Sequence, residues 1–338
     1  MKSIDVSQAV GTVLGQDLTR IAPGQFKGVA FKKGHIIREE DIPIMRSMGK
    51  NNIYVFEITA DQVHENDAAA KLATLAAGSG LNLTEAAEGK VDIQSDLHGL
   101  LKIDIDRLLQ LNLLDGVVLS TLHEGVVVNA GQLIACAKII PLLLPVSTID
   151  QVETICSAGS LIQVLPFRVK TVGLIITGNE VYYGLIQDKF EAVIREKIKL
   201  FGGVVGSTVF LPDDQERVTE AITNLAQQYD LVIVTGGMSV DPDDITPVAI
   251  RQTGAEVAVY GTPVLPGAMF MAAYLDGKPV LGIPACGMYA RITVLDVVLP
   301  KILAGEIITR QYIAALGHGG LCRKCADGCR YPDCSFAK

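Results

Sequence analysis

The chain has 338 residues, with 29 Lys and Arg against 37 Asp and Glu and a formal net charge of −8 at pH 7. At roughly 150 residues per domain, the length points to two domains. A composition of 49% hydrophobic and 20% charged residues excludes a disordered chain. No basic stripe stands out, there is no Trp, and aromatic residues make up only 5%, which leaves no footprint for nucleic acid.

The mean hydropathy of +0.36 raises the question of a membrane span. The most apolar stretch, Ile139 to Val146, carries Pro141 and Pro145 and is far short of the ~20 residues that a spanning helix needs. The opening MKSIDVSQAV lacks the continuous apolar core of a signal peptide. The expectation is a cytoplasmic protein without a membrane or nucleic-acid partner.

In chain order, residues 1–165 read as a β-rich α+β region of one module or of two, 1–85 and 86–165. It opens with an extended segment, the PGQFKG turn (Pro23 to Gly28), VAFKKGHII and a short helix in REEDIPIMRSMG. NIYVFEI (Asn52 to Ile58) alternates like a strand. HENDAAAKLATLAAG is helical, with Gly78 as its expected C-cap. GKVDIQSD, GLLKIDID, DGVVLSTL and GVVVNAGQLIACAKI are Val- and Ile-rich runs bounded by Gly, Asp and Asn, which predicts strands, with a tight turn inside VVVNAGQLIA.

Pro166 marks a seam, after which strands and helices alternate through 166–310. TVGLIIT (Thr171 to Thr177) and DLVIVT (Asp230 to Thr235) are continuous apolar runs, as buried parallel strands give. DKFEAVIREKIKLF and ERVTEAITNLAQQ carry helical apolar stripes, and VVGSTVFL between them reads as a strand. A helix starts near Asp244, AEVAVYG is a strand, PGAMFMAAYLDG a short helix, KPVLGIP a strand and ITVLDVVLPKILAG a final helix. The predicted fold class is α/β, a three-layer parallel sheet covered on both faces.

Three predicted strands end in unusual loops: Thr177-Gly178-Asn179-Glu180, then Gly236-Gly237-Met238-Ser239-Val240-Asp241-Pro242-Asp243-Asp244, then Pro284-Ala285-Cys286-Gly287. In an open α/β sheet, ligands bind outside the carboxyl ends of strands. The glycines admit backbone N–H groups close to a ligand, and helices starting after the loops favour an anion. Thr177, Asn179, Thr235 and Ser239 offer neutral hydrogen bonds. Glu180, Asp241, Asp243 and Asp244 offer carboxylates, which face a phosphate only across a divalent cation such as Mg²⁺. The site reads as phosphate, Mg²⁺ and a polar ring system. The alternative is structural: a plain turn at GNE and an acidic helix start at DPDDITP.

Thr177 to Glu180, VTGGMSV followed by DDITP, and LPGAMF with GKPVLGIP together resemble the molybdopterin-binding domain shared by molybdopterin molybdotransferases, molybdopterin adenylyltransferases and the competence-damage-inducible proteins. The likeness covers about Lys170 to Gly305. More faintly, VSQAVGTVLGQDLT, PGQFKG, GHII and GKNNIYVFE are similar to the N-terminal region of molybdotransferases. The resemblance implies a bound molybdopterin or molybdenum cofactor. By position, Glu180 matches the acidic residue of the TG-(D/N)-E motif. Gly236, Gly237 and Ser239 match a GG-x-S loop, Asp244 with Thr246 a D-x-T motif, and Pro284 the strand-end proline. Pro266 and Gly267, within LPGAMF, join the implied cofactor contacts with Gly287. Glu180, Asp241 and Asp244 are the implied catalytic carboxylates. Two departures stand out: Pro242 occupies the place of an Asp, and Ala285-Cys286-Gly287 replaces a Gly-Asn-Pro turn. Cys286 is either a small packed hydrophobe or a thiolate near molybdenum.

Residues 311–338 form a tail in which HGGLCRKCADGCRYPDC places Cys322, Cys325, Cys329 and Cys334 at C-x₂-C-x₃-C-x₄-C. Four thiolates in so short a span suit either an iron–sulfur cluster or a tetrahedral Zn²⁺; otherwise the tail holds reduced thiols. Three functions follow from these readings. One is an enzyme of molybdenum-cofactor maturation working by Mg²⁺-assisted phosphoryl or molybdate transfer, and another a non-catalytic cofactor carrier or sensor beside a molybdoenzyme. The third is a hydrolase of a nucleotide pyrophosphate. The resemblance also implies a homo-oligomer.

Overall fold

The computed structural model describes residues 2–22, 26–55, 59–239, 241 and 244–338. The first three residues of the PGQFKG turn, the end of the NIYVFEI strand, and Val240, Pro242 and Asp243 of the second loop lie outside the described residues. The chain divides into two compact units: 1–97 with 101–124 and 128–164, and 165–338 with 98–100 and 125–127. Among the described residues, no helix is long and apolar enough to cross a membrane.

The first unit is β-rich. Lys2–Asp5 pairs antiparallel with Asn52–Val55, and Leu18–Ala22 with Phe26–Phe31. Val6, Leu14, Leu18, Ile37, Met45 and Ile53 close a small core beside them. A four-stranded antiparallel sheet follows, in the order 81–83, 90–95, 133–139, 117–121. The helix Glu65–Ala76 lies on that sheet through Ala68, Ala69, Leu72, Ala73 and Ala76, whose small side chains permit a close approach.

Two sequence readings need correction here. Gly78 is not a left-handed C-cap, because Ala77 leaves the helix in an extended conformation and the Gly78 N–H donates to the Ile162 carbonyl. Glycine is required there because a Cβ would fall 2.5 Å from the Ser160 side chain. The sequence reading also missed two helices: Ile105–Asn112, which is Leu-rich and capped by Asp104, and Val146–Cys156, where packing prevails over a β-branched composition.

His64 caps the helix Glu65–Ala76. Its Nδ1 accepts from the Asn66 N–H at 3.1 Å, so Nε2 carries the proton and donates to the Gly15 carbonyl at 2.8 Å. Burial is the main cause that holds its pKa below the usual 6.5. The unfolded chain therefore takes up the proton first. This contribution to stability is complete above about pH 6.5 and is lost as pH falls towards the folded-state value, at up to about 1.4 kcal/mol per pH unit. His64→Asn keeps a capping oxygen and is expected to remove this dependence. Chemical denaturation of both proteins between pH 7 and pH 5 checks it, and parallel pH profiles would reject the assignment.

The second unit carries a six-stranded mixed sheet. Its elements are β1 (Thr171–Thr177), α1 (Asn179–Tyr182), α2 (Phe190–Leu200), β2 (Val204–Leu211), α3 (Gln215–Gln228), β3 (Leu231–Thr235), α4 (Thr246–Gln252), β4 (Glu256–Tyr260), β5 (Met271–Leu275), β6 (Lys278–Ile283), α5 (Cys286–Tyr289), α6 (Val294–Leu303) and α7 (Arg310–Ala315). The strand order is β2-β1-β3-β6-β5-β4. The first four strands are parallel, and β5 and β4 run antiparallel at one edge.

Alternation along the strands makes three layers. Leu174, Ile176, Leu231 and Ile233 face α2 and α6, and Ile175, Val232 and Val234 face α3 and α4. Both faces are covered, which is why these strands read as unbroken apolar runs. The expected helix in PGAMFMAAYLDG is instead strand β5. Asp276 and Gly277, at φ 49° and 78°, form the two left-handed positions of a tight hairpin turn into β6. The Asp-Gly pair between two apolar runs was the signal, and it outranks the helical propensity of Ala and Met. The tail belongs to this unit, with Phe336 and Ala337 buried in the same core as α6.

Candidate functional site

The parallel register sets the site. Ile176 is opposite Thr235, and Thr235 is opposite Ile283. The chain therefore leaves β1, β3 and β6 side by side, and all three unusual loops open on one carboxyl edge. The crossover from β2 through α3 to β3 returns past β1, so the strand order reverses at this point, where open α/β sheets hold their ligands.

Buried hydroxyls knit the loops together. Thr177 Oγ1 donates to the Thr235 carbonyl at 3.1 Å, and Thr246 Oγ1 donates to the Gly236 carbonyl at 2.8 Å. The Thr246 N–H also donates to the Gly237 carbonyl at 3.1 Å. Thr177, Thr235 and Thr246 are thus committed to backbone, and they frame the loops. Gly236 sits at φ 90°, where a Cβ would lie 2.4 Å from the Thr177 carbonyl oxygen, so only glycine fits between the first two loops.

A hollow of about 410 Å³ opens beside this frame. The second loop contributes Gly237, Met238, Ser239 and Asp244 to its wall. Leu265 to Met269 form a second side, including the expected Pro266 and Gly267, and Pro284, Ala285 and Cys286 form the third. The volume lies within the range of small-molecule sites.

Of the other expected residues, Gly178 is buried behind the first loop, and Gly287 is buried against Ile283. Asn179, Glu180 and Asp241 are exposed. None of these five is among the residues lining the hollow. The Asn179 side chain is engaged elsewhere. Its Oδ1 accepts from the Asp213 N–H at 3.2 Å, and Asp213 in turn accepts from the Asn179 N–H at 2.9 Å. Asp241 and Asp244 form a local turn, with the Asp244 N–H donating to the Asp241 carbonyl at 3.0 Å.

Several residues that hold the site escaped the sequence reading. Tyr260, on β4, donates its hydroxyl to the Met238 carbonyl at 3.1 Å, while Arg251 lies over its ring at 5.2 Å. Met238 packs on Gly282, where a Cβ would stand 2.6 Å from the sulfur. Asp213 follows β2 in LPDD, and that acidic pair after a strand was its only signal.

The chemistry of the wall is specific. It contains no Lys, Arg or His, and Asp244 is its single carboxylate among the described residues. Backbone groups, Ser239 and the Asp244 carboxylate are the polar features that this wall offers among the described residues. The short helices after the loops, of four, seven and four residues, add less dipole than the sequence suggested. Burial pushes the Cys286 thiol up, against the opposing N–H groups of Cys286, Gly267 and Gly287. Burial thus favours the protonated thiol at this position.

The four tail cysteines, Cys322, Cys325, Cys329 and Cys334, all line a second hollow of about 370 Å³. Among the described residues, no three His, Cys, Asp or Glu side chains stand close enough to grip one metal ion. The tail expectation, iron–sulfur or Zn²⁺, is thus not borne out as a preformed metal-gripping group.

Residues 173–304 match a family model described as "Probable molybdopterin binding domain", and residues 3–57 match a "Domain of unknown function (DUF8806)". A CinA-like protein of Citrifermentans bemidjiense is 36% identical over 87 residues, 25% of this chain and 21% of that protein. A molybdopterin molybdenumtransferase of Staphylococcus epidermidis is 30% identical over 123 residues, 34% of this chain and 29% of that protein. The chain thus spans less than a third of the length of either relative. Among solved structures, the molybdopterin biosynthesis enzyme MoaB of Thermus thermophilus matches at TM-score 0.35 and 21% identity, over 40% of this chain and 98% of that one. The molybdopterin biosynthesis moea protein of Pyrococcus horikosii matches at TM-score 0.33 and 14% identity, over 90% of this chain and 74% of that one. The part of the chain that carries the hollow is thus the part that resembles a probable molybdopterin binding domain.

Proposed function

We propose that the hollow at the carboxyl edge of β3 and β6 binds molybdopterin by its phosphate-bearing end, and that the chain acts in maturation of the molybdenum cofactor. The observation that carries this reading is the convergence of the second loop, residues 265–269 and residues 284–286 on one wall. Mg²⁺ held at Asp244, with Asp241 beside it in the turn, would supply the positive charge that the wall lacks. Assembly as a homo-oligomer and transfer of the cofactor to a molybdoenzyme belong to the same proposal, by resemblance.

A second reading is a carrier that binds the cofactor without turning it over. It is favoured by Glu180, which is exposed and absent from the wall of the hollow. Incubation with molybdopterin, MgATP and molybdate separates the two. Adenylyl transfer or molybdate insertion supports the enzyme, and stoichiometric binding without product supports the carrier.

Ala285 provides the test of the site. It is exposed, lines the hollow and has an ordinary backbone at φ −52°. Ala285→Phe is therefore expected to fill the hollow without disturbing the fold. Anaerobic titration with molybdopterin should show at least tenfold weaker binding, about 1.4 kcal/mol, at unchanged thermal stability. Wild-type affinity in this variant would move the site elsewhere.

A further inference from the structure

The tail motif has no part in the pterin site, and residues 311–338 lie outside both family matches. We propose that Cys322, Cys325, Cys329 and Cys334 hold a [4Fe–4S] cluster. The proposal stands independently of molybdopterin binding.

Placement is the first argument. The tail backbone from Gly320 to Lys338 forms no helix or strand beyond a single bridge residue, yet all four thiols line one hollow of about 370 Å³. Lys324 at φ 50° and Gly328 at φ 103° turn the chain between the first three cysteines. Cys334 returns to the same hollow because Tyr331 and Phe336 are anchored in the core, with their rings 6.3 Å apart. At the other end, the Leu265 N–H donates to the Gly320 carbonyl at 2.8 Å and the Cys322 N–H to the Leu265 carbonyl at 2.9 Å. The wrap is thus fastened before and after its ligands.

Spacing is the second argument. Tetrahedral Zn²⁺, at about 2.3 Å from each sulfur, would draw its four sulfurs to about 3.8 Å from one another and leave no hollow. Here all four thiols line one hollow of about 370 Å³. A [4Fe–4S] cube binds each cysteine through a different iron, so its ligand sulfurs stand further apart around a body of substantial volume. A hollow of this volume, with a thiol from each of the four positions on its wall, has room for the cube.

Charge is the third. A [4Fe–4S]²⁺ core with four thiolates carries a net charge of −2. Arg291, Arg323, Lys324 and Arg330 line the hollow, and no Asp or Glu does. Among the described residues the other hollow has no basic side chain, so the basic residues mark the hollow that the thiols line, with Arg330 also pairing with Asp327 at 3.4 Å. Pro266 lines both hollows, which places the cluster directly across that residue from the pterin site.

Loading is a ligand exchange without net redox change. Four bonds from iron to small carrier thiolates break, four bonds from iron to cysteine form, and the cysteine protons pass to the released thiolates. The test is anaerobic incubation of the full-length chain with a preassembled [4Fe–4S]²⁺ cluster carried on small thiols, followed by gel filtration. Retention of about four irons and about four sulfides per chain is expected, with the visible absorption of iron–thiolate bonds. Cys325→Ser and Cys329→Ser replace exposed residues, so they should fold as the wild type by circular dichroism while losing the iron and the absorption. Cys136→Ser, in the first unit, should retain both. Failure of the wild type to retain iron overturns the proposal, as does stable binding of one Zn²⁺ per chain that excludes the cluster. Equal iron retention in Cys325→Ser and Cys329→Ser does so as well.

Discussion

Gly236→Ala is expected to destabilise the second unit by about 3 kcal/mol or more, whereas Gly254→Ala should cost only about 1 kcal/mol. Both glycines have a left-handed backbone, at φ 90° and 85°. They differ in what a Cβ would meet. At Gly254 nothing lies within 4 Å, so only the conformational cost applies. At Gly236 the methyl would stand 2.4 Å from the Thr177 carbonyl oxygen and 2.7 Å from its Oγ1.

Neither neighbour of Gly236 yields easily. Thr177 ends a strand paired with β2 on one side and β3 on the other, and its hydroxyl bridges to the Thr235 carbonyl. Gly236 is itself held by Thr246 through its carbonyl. Relief of the clash would separate β1 from β3 where the site is built. Urea unfolding of the two variants, compared at equal slope, measures the difference. Equal losses would mean that the first two loops are not in contact at Gly236, and the frame described for the site would be wrong.

The contrast between these glycines also shows what the sequence made legible. Strands buried on both faces, such as TVGLIIT and DLVIVT, declare themselves because every residue must be apolar. The loops after them declare themselves because glycine has no other reason to interrupt such a run. From these features the α/β class and the edge of the sheet carrying the site followed directly. Asp276-Gly277 carried a hairpin signal too, but the Ala- and Met-rich composition before it read as a helix and concealed β5.

What the sequence did not convey was the direction of side chains within the loops. Thr177, Asn179, Thr235 and Thr246 all carry polar groups suited to a ligand, and each one's polar group is engaged by the protein itself. A loop that must hold one conformation needs internal hydrogen bonds as much as it needs groups for its ligand, and both demands select the same residue types. Tyr260 shows the converse. It stabilises the second loop from a distant strand, and no local pattern marks a long-range contact of that kind.

The carboxylates put this distinction to its sharpest test. Under the proposed function, Asp244→Asn should abolish the Mg²⁺-dependent part of molybdopterin binding, with at least a tenfold loss of affinity at saturating Mg²⁺. Glu180→Gln should bind as the wild type. Among the described residues, Asp244 is the single carboxylate in a wall without basic groups, so removing its charge takes away the wall's own hold on the cation that offsets the phosphate. Asn keeps an oxygen that accepts the Asp241 N–H, now 3.3 Å from the Asp244 carboxylate, so the turn survives and the variant reports on charge alone. Glu180 lies exposed on α1, outside the wall, although its motif made it the stronger catalytic expectation. Titrations with and without Mg²⁺ for both variants decide the matter. If Glu180→Gln loses the Mg²⁺ dependence and Asp244→Asn keeps it, the cation sits at the first loop, and the phosphate must enter from that side of the sheet edge.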